Sequence, residues 1–191
     1  MKTQEQIDRI KAVVLYIMQY FKDGVDYIKL FKIMYFAQRK YLSTYGLCVV
    51  EDTFKARPRG PVPSLTYKVV KMVENGECFD EFPDLKDFAH AVRVDKDQKV
   101  FALVAPDMDY IAVMERKVLD ETIAEYKDVP SDELSKISHE DTAYKKVCQL
   151  MKTDPERDTI TRLDIARAGG ASDEMIEYIR EEQIIERTLA S

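Results

Sequence analysis

The sequence predicts an α+β fold that is predominantly α-helical, with one buried central helix, about five helices around it and a small antiparallel β-sheet or hairpin. Residues 25–46 carry apolar side chains over about half of a helical circumference, which is wide enough to contact several neighbouring elements. Apolar residues recur at helical spacing before and after this stretch. Residues 91–104 instead contain two short β-favouring runs around a polar turn, which is typical of a hairpin.

The first helix is predicted from a capping box followed by apolar residues at helical spacing. Thr3 has the position of an N-cap, Gln6 lies at the third helical position, and the periodicity continues to about Phe21. Asp23 and Gly24 favour a turn, so we expect the helix to end before them.

The central helix is predicted between Asp26, which can act as its N-cap, and Gly46, which can end it. Its apolar face consists of Ile28, Leu30, Phe31, Met34, Tyr35, Ala37, Tyr41, Leu42 and Tyr45. Because this face is so wide, we expect the helix to be surrounded by the others.

Two residues of the central helix break its amphipathic pattern. Gln38 lies in the apolar face, where its amide needs hydrogen-bond partners, so we expect it to bind a neighbouring backbone group. Phe36 lies in the basic stripe formed by Lys29, Lys32 and Lys40. A large aromatic side chain there is either covered by a later segment or part of a binding surface.

A stiff, positively charged segment follows an extended stretch at residues 47–57. Residues 58–63 contain three prolines and one glycine. Proline restricts φ and glycine tolerates positive φ, so we expect a rigid, sharply turned loop in which Gly60 and Pro61 are structural. Arg57 and Arg59 would then be positioned to donate to carboxylate or phosphate groups. The alternative is a solvated connection whose prolines only set the path.

The remainder of the first 152 residues contains further helices and the predicted hairpin. Residues 77–88 are acidic and are expected to be irregular, whereas the hairpin could form a sheet with the extended stretch at 49–57. Helices are predicted at residues 64–74, 107–127, 131–137 and 142–150.

A turn at residues 153–155 is predicted to link a domain at 1–152 to an acidic two-helix extension at 153–191. Four residues of the extension have the spacing of a helix-turn-helix: Ala166, Gly170, Ile176 and Ile179. The extension carries 5 Arg but 10 Asp or Glu. A DNA reader gains affinity by neutralising phosphates, so we interpret the segment as a two-helix hairpin and keep a DNA-binding regulator as the alternative function.

Charge is distributed unevenly along the chain, whose formal net charge is −6. Residues 1–75 hold 13 Lys or Arg against 7 Asp or Glu, whereas residues 76–191 hold 16 against 28. We therefore predict a basic face made by the first part of the chain. Such a face can bind an acidic protein, a nucleotide or a nucleic acid.

Several classes of protein are excluded by composition. No apolar run approaches the roughly 20 residues of a membrane span, and we expect no signal peptide, so the protein is predicted to be cytoplasmic. The three cysteines are far apart and form no C-x-x-C, and there are only two histidines. We therefore predict no structural metal and no cofactor.

The sequence offers one weak candidate for a catalytic group, His139 beside Glu140 and Asp141. An imidazole next to carboxylates can act as a general base, but no nucleophile, phosphate-binding loop or metal motif completes the set. We expect instead that Ser138 and His139 cap the following helix, and we predict that the protein is not an enzyme.

Three segments in order resemble a known family. Residues 29–46, KLFKIMYFAQRKYLSTYG, resemble the K-L-x-K-L-L-Y-F-A-Q-x-x-x-L opening of the Panacea antitoxin domain of SocA-like and phage-associated GepA-like proteins. Residues 54–62, FKARPRGPV, resemble its F-x-A-x-x-x-G-P-V segment, and residues 134–144, LSKISHEDTAY, its L-S-x-x-(S/T)-H-x-x-x-x-(W/Y) segment. Two departures alter the surface near the loop, because Tyr144 stands where many members have Trp and Pro58-Arg59 replaces an aromatic-polar pair.

The resemblance implies a small, mainly helical antitoxin of a bacterial type II toxin–antitoxin system, which binds a protein toxin encoded nearby. In the SocA branch the antitoxin also delivers its toxin to an AAA+ protease. We expect neither a nucleic acid nor a membrane as partner. From the residues themselves, the candidate contact surface is Lys29, Lys32, Phe36, Lys40, Arg57, Arg59 and His139, and the structural positions are Gln38, Gly60, Pro61 and Ser138.

Overall fold

The computed structural model describes residues 2–189, which form a predominantly helical α+β fold, as predicted. It contains two small antiparallel sheets where one was expected. The helices in this part of the chain are α1 (Gln4–Met18), α2 (Tyr27–Tyr45), α3 (Ser64–Asn75), α4 (Lys86–His90), α5 (Val113–Tyr126), α6 (Ser131–His139), α7 (Thr142–Met151), α8 (Arg162–Ala168) and α9 (Asp173–Leu189). The strands are β1 (Val25–Asp26), β2 (Phe54–Arg57), β3 (Gly60–Pro63), β4 (Val92–Val94), β5 (Lys99–Ala102) and β6 (Thr159–Ile160).

Helix α2 is the central element of the fold, and the prediction of a buried central helix is confirmed. Twelve of its 19 residues are buried, and α1, α5, α6, α8 and β3 pack against it. The Asp26 carboxylate accepts a hydrogen bond from the Ile28 N–H at 2.7 Å and so begins the helix. Gly46 ends it in the left-handed conformation, at φ 71°, and donates its N–H to the Leu42 carbonyl.

The first sheet has the strand order β1–β5–β4 and contains the predicted hairpin. The expectation that this hairpin pairs with residues 49–57 is wrong, because β5 pairs with β1 instead, with Val25 opposite Val100. Residues 47–53 lie outside both sheets, and side chains make hydrogen bonds there instead. The Val50 N–H donates to Gln38 Oε1, and the Asp52 carboxylate accepts the N–H groups of Leu65 and Thr66 at the start of α3. The hairpin therefore packs beside the start of the central helix.

The second sheet has the order β3–β2–β6. Residues 58–63 were predicted to form a rigid, sharply turned loop; residues 58–59 form the turn, and Gly60–Pro63 instead form strand β3. Strand β3 contains Pro61 and Pro63, which have no N–H to donate to a ladder. Both are tolerated because β3 is an edge strand and β2 is its partner. On the other edge, Ala56 donates its N–H to the Asp158 carbonyl at 2.7 Å, which joins the C-terminal segment to the hairpin.

Helix boundaries differ from the predictions at three places. Helix α1 ends at Met18 rather than near Phe21. The acidic segment expected to be irregular contains a 3₁₀ turn at Pro83–Leu85 followed by α4. The helix expected from residue 107 begins only at Val113, after a separate 3₁₀ turn that Asp107 caps.

The C-terminal segment packs on the rest of the chain. Its predicted two-helix arrangement is present as α8 and α9, and α8 contacts both α2 and α7. Ala166 is fully buried, and a Cβ on Gly169 would lie 2.7 Å from the Arg39 carbonyl oxygen, so this turn lies directly on the central helix. The division into domains at residue 152 stays a prediction. Along residues 2–189, no helix has both the length and the apolar character needed to cross a membrane.

Candidate partner-binding surface

The three sequence motifs meet at the base of the β2–β3 hairpin. Lys32 of α2 donates a hydrogen bond from Nζ to the Pro61 carbonyl oxygen at 2.9 Å. Gly60 adopts φ +98°, and a Cβ there would lie 2.2 Å from Ser138 Oγ and 3.0 Å from Lys32 Cε. Only glycine fits this conformation and this close approach. The hairpin is therefore held tightly between the central helix and α6.

A second set of contacts supports the hairpin from α7. The Tyr144 hydroxyl donates to the Arg57 carbonyl oxygen at 2.8 Å, and burial raises the pKa of Tyr144 above its usual range. The His139 ring stacks on Tyr144 with centroids 5.0 Å apart and planes 6° apart. His139 Nε2 is enclosed and has no hydrogen-bond partner among the described residues. The geometry makes His139 a packing partner of the tyrosine that supports the hairpin.

Asp141, which the sequence suggested only as a neighbour of His139, connects α7 to the central helix. Its carboxylate accepts hydrogen bonds from the Tyr35 hydroxyl and from Arg39 Nη1, both at 2.8 Å. It also accepts the Ala143 N–H at 2.9 Å, so Asp141 is the N-cap of α7. The expected cap by Ser138 and His139 is wrong, since Ser138 Oγ donates to the Ser135 carbonyl within α6.

The hairpin tip, which we define as Arg57, Pro58 and Arg59, is exposed above this rigid base. Arg57 Nη1 lies 2.8 Å from Asp158 Oδ2, and Lys55 contacts the same carboxylate. Burial opposes the charge of Asp158, but hydrogen bonds from Arg57 and Lys55 outweigh it and lower the pKa of this carboxyl group. Arg59 is held less firmly, since its only ion pair within residues 2–189 is with Asp132 at 3.8 Å.

Two residues of the predicted contact surface are buried. Lys32 is 1% exposed, and Phe36 is 2% exposed, with its ring centroid 4.6 Å from that of Tyr126 in α5. A later segment therefore covers Phe36, and the hairpin covers Lys32 except where Lys32 lines the cavity described below. The reason is that α5 and the hairpin pack over the basic stripe, which helical periodicity alone does not reveal.

The other predicted contact residues are distributed over several elements. Lys29 donates to the Lys127 carbonyl at 2.8 Å, and Lys40 forms an ion pair with Glu121 at 2.7 Å. Both lysines thus lie along α5, whereas Arg57 and Arg59 form the hairpin tip. The structure therefore brings only the two arginines together as one exposed group.

Two cavities flank the hairpin tip. The first, which we call the Lys32 cavity, has a volume of about 380 Å³ and is lined by the hairpin tip together with Tyr27, Phe31, Lys32 and Tyr67. The second has a volume of about 250 Å³ and lies between Arg57 and Pro58 and the α7 residues Tyr144, Cys148 and Met151. The tip therefore offers a partner two exposed cations with a recess on each side.

The amino-acid sequence did not reveal the structural roles of three carboxylates, namely Asp52, Asp141 and Asp158. Each one binds groups that lie at least ten positions away in the chain, such as Thr66, Arg39 and Arg57 respectively. No local spacing signals such contacts. Across residues 2–189, no cluster of three His, Cys, Asp or Glu side chains could hold a metal ion.

Comparison with known proteins gives one family. The family model described as "Antitoxin SocA-like, Panacea domain" matches residues 30–145. This range contains most of α2, the β2–β3 hairpin and the α6–α7 junction. It covers the contacts of the hairpin with Lys32, Ser138 and Tyr144, whereas Asp158, which pairs with Arg57, lies outside it. No curated protein and no solved structure matches the chain significantly.

Proposed function

The chain belongs to the SocA-like antitoxin family that carries the Panacea domain, and on this basis we propose that it neutralises a protein toxin by direct, stoichiometric binding. The observation that carries the proposal is the hairpin tip. Its two arginines are exposed, while Lys32, Gly60 and Tyr144 fix the backbone beneath them. A surface that is rigid before binding loses little conformational entropy when a partner docks.

The charge of the tip indicates the kind of surface it would contact. Arg59 is exposed and only loosely paired, and Arg57 presents a partly exposed guanidinium beside Asp158. Guanidinium groups bind carboxylates in a bidentate geometry and are enriched among the residues that dominate binding energy at interfaces. We therefore propose that the tip contacts an acidic region of the toxin.

The test is rescue of cells that express the cognate toxin from the neighbouring gene. Arg57→Gln combined with Arg59→Glu changes the charge of the tip by −3 without placing a carboxylate against Asp158. We expect this variant to lose rescue and to bind purified toxin at least tenfold more weakly. The matched control is Arg180→Glu with Arg187→Gln, which makes the same charge change on the exposed face of α9.

Thermal unfolding of both variants shows whether the fold is intact. Full rescue by the tip variant, or equal loss in the α9 control, would contradict the assignment of the surface. Failure of the unmodified protein to bind or neutralise the toxin would contradict the proposed function itself.

Delivery of the bound toxin to an AAA+ protease is the second part of the proposal. Its test is the half-life of the toxin after translation is stopped, with and without this protein. A shorter half-life in its presence supports the adaptor role, whereas an unchanged half-life together with rescue supports neutralisation by masking alone.

A DNA-binding regulator is the alternative function, because four residues of the α8–α9 segment have the spacing of a helix-turn-helix. The exposed residues of α9 argue against phosphate contact, since Asp173, Glu174 and Glu177 lie at its start. The decisive measurement is a gel shift of the protein's own promoter DNA with the full chain at physiological salt. Removing residues 153–191 is a poor control, because β6 and α8 pack on the rest of the fold.

A further inference from the structure

Lys32 is a buried cation whose donors are only partly used. Its side chain is 1% exposed, and Nζ donates to the Pro61 carbonyl oxygen at 2.9 Å. An ammonium group has three N–H donors, and a buried charge normally has a counterion. Among residues 2–189, no carboxylate lies within ion-pair distance of Lys32. The hydrogen bond that fixes the hairpin backbone uses one of these donors and does not account for the charge.

The charged groups around Lys32 do not neutralise it. Asp26 attracts it electrostatically, but the Asp26 carboxylate already accepts hydrogen bonds from the Ile28 N–H and the Ser131 hydroxyl. Arg59 repels it from the hairpin tip. Burial, which is the largest cause, together with Arg59 outweighs the attraction of Asp26 and lowers the pKa of Lys32 to about 7.

Lys32 forms part of the wall of a cavity whose charged residues are all cations and whose other walls are aromatic and aliphatic. The Lys32 cavity also contains Arg57 and Arg59, with Tyr27 and Tyr67 as aromatic walls. Its volume of about 380 Å³ is at the lower end of the range for small-ligand sites, which suits one inserted side chain. Arg57 already has the Asp158 carboxylate at 2.8 Å, whereas Arg59 has a carboxylate only at 3.8 Å and Lys32 has none within ion-pair distance among residues 2–189.

We propose that the Lys32 cavity binds the carboxylate of one acidic side chain from the protein partner, which Lys32 and Arg59 contact together. This inference rests on the proposed function and names the group that the hairpin surface recognises. The desolvation of Lys32 occurs when the protein folds, so an arriving carboxylate gains a buried ion pair without desolvating that ammonium again. A glutamine side chain, which has the same shape but no charge, would gain only a hydrogen bond from Lys32.

Binding of this kind is coupled to protonation of Lys32. A carboxylate stabilises the charged form, so binding raises the pKa of Lys32 and takes up part of a proton near neutral pH. Affinity should therefore decrease as pH rises from 6 to 8, because more of the free protein then holds Lys32 in its neutral form. The carboxylate of the ligand stays ionised over this range.

The test uses the 191-residue chain without any toxin. The probe is N-acetyl-glutamate N-methylamide, and the matched probe is N-acetyl-glutamine N-methylamide. Binding is followed by NMR of lysine side chains labelled with ¹³C at Cε, with the Lys32 signal assigned by its loss in Lys32→Met. We expect saturable shifts of the Lys32 signal with the glutamate probe, at least tenfold weaker binding of the glutamine probe, and weaker binding at pH 8 than at pH 6.

Two variants separate the site from the fold. Arg59→Gln alters an exposed residue, so it should weaken binding of the glutamate probe at least threefold without changing the midpoint of unfolding. Lys136→Met, which removes an exposed lysine on α6, should leave binding unchanged. Equal binding of both probes, or an unperturbed Lys32 signal at saturation of the protein, would overturn the inference, as would tighter binding of inorganic phosphate than of the glutamate probe.

The outcome is independent of the proposed function. A negative result with the probes, in a protein that still neutralises its toxin, removes only the carboxylate site. If the protein binds the glutamate probe specifically but binds no toxin, the result supports the carboxylate site and contradicts the proposed function.

Discussion

Gly60 offers a direct measure of how tightly the hairpin is held against the central helix. Replacing Gly60 with Ala forces an L-residue to adopt φ +98°, which costs about 1–3 kcal/mol. The new Cβ would also lie 2.2 Å from Ser138 Oγ, and relieving such a clash in a packed site costs about 1–3 kcal/mol more. We therefore expect Gly60→Ala to lower the free energy of unfolding by roughly 2–6 kcal/mol.

Gly76 is the matched control for Gly60→Ala. It also adopts a positive φ, +66°, but no atom lies within 4 Å of the position that a Cβ would take. Gly76→Ala should therefore show only the backbone cost, about 1–2 kcal/mol. The difference between the two variants measures the contact with Ser138 and Lys32.

Urea unfolding at 25 °C, followed by circular dichroism, gives both values, and the m-value checks that the unfolding transition stays comparable. A second variant tests the origin of the clash. Ser138→Ala removes Oγ and should recover about 1 kcal/mol or more in combination with Gly60→Ala. Equal losses for the two glycine variants, or strict additivity of Gly60→Ala and Ser138→Ala, would refute the close packing of the hairpin.

Three further predictions concern the central helix. Gln38→Ala leaves the buried Val50 N–H unpaired and should cost about 1–3 kcal/mol in urea unfolding, with faster amide exchange at Val50. Lys32→Met should stabilise the protein near pH 7, and this advantage should shrink by at most about 1.4 kcal/mol per pH unit towards pH 9. The sign follows from a folded pKa of about 7, below the unfolded value of 10.5, so the unfolded state binds more protons and wild-type stability rises with pH in this window. Phe36→Ala should cost about 3–5 kcal/mol by removing contacts with Tyr126, whereas Phe36→Leu should fold and keep its toxin affinity; a large loss of affinity in the folded Leu variant would return Phe36 to the contact surface.

Much of the local structure was predictable because its causes lie within a few residues. The capping box at Thr3 and Gln6 is present as expected. Asp26 and Gly46 bound the central helix, because a cap and a left-handed stop act within one helical turn. The hairpin at residues 91–104 follows from its alternating pattern and polar turn.

The candidate site was only partly predictable. Arg57 and Arg59 follow from the stiff segment that carries them, and they remain the exposed pair. Helical periodicity places Lys32 and Phe36 on the same stripe of α2 as Lys29 and Lys40, so the sequence alone does not show which of these side chains are buried. Their burial depends on α5 and the hairpin, which are separated from them by many residues and leave no trace in the periodicity of α2.

The amino-acid sequence by itself determined most of the helices, the caps of α1 and α2, the charged turn and the family, because each depends on residue type and on spacing over short distances. Only the tertiary structure decided which strands pair, which lysine is buried and which carboxylate joins α7 to the central helix. Those outcomes depend on contacts such as Lys32 with Pro61 and Asp141 with Tyr35, whose partners lie far apart in the chain. A contact of that kind forms only when several elements pack together, so no single stretch of the chain encodes it.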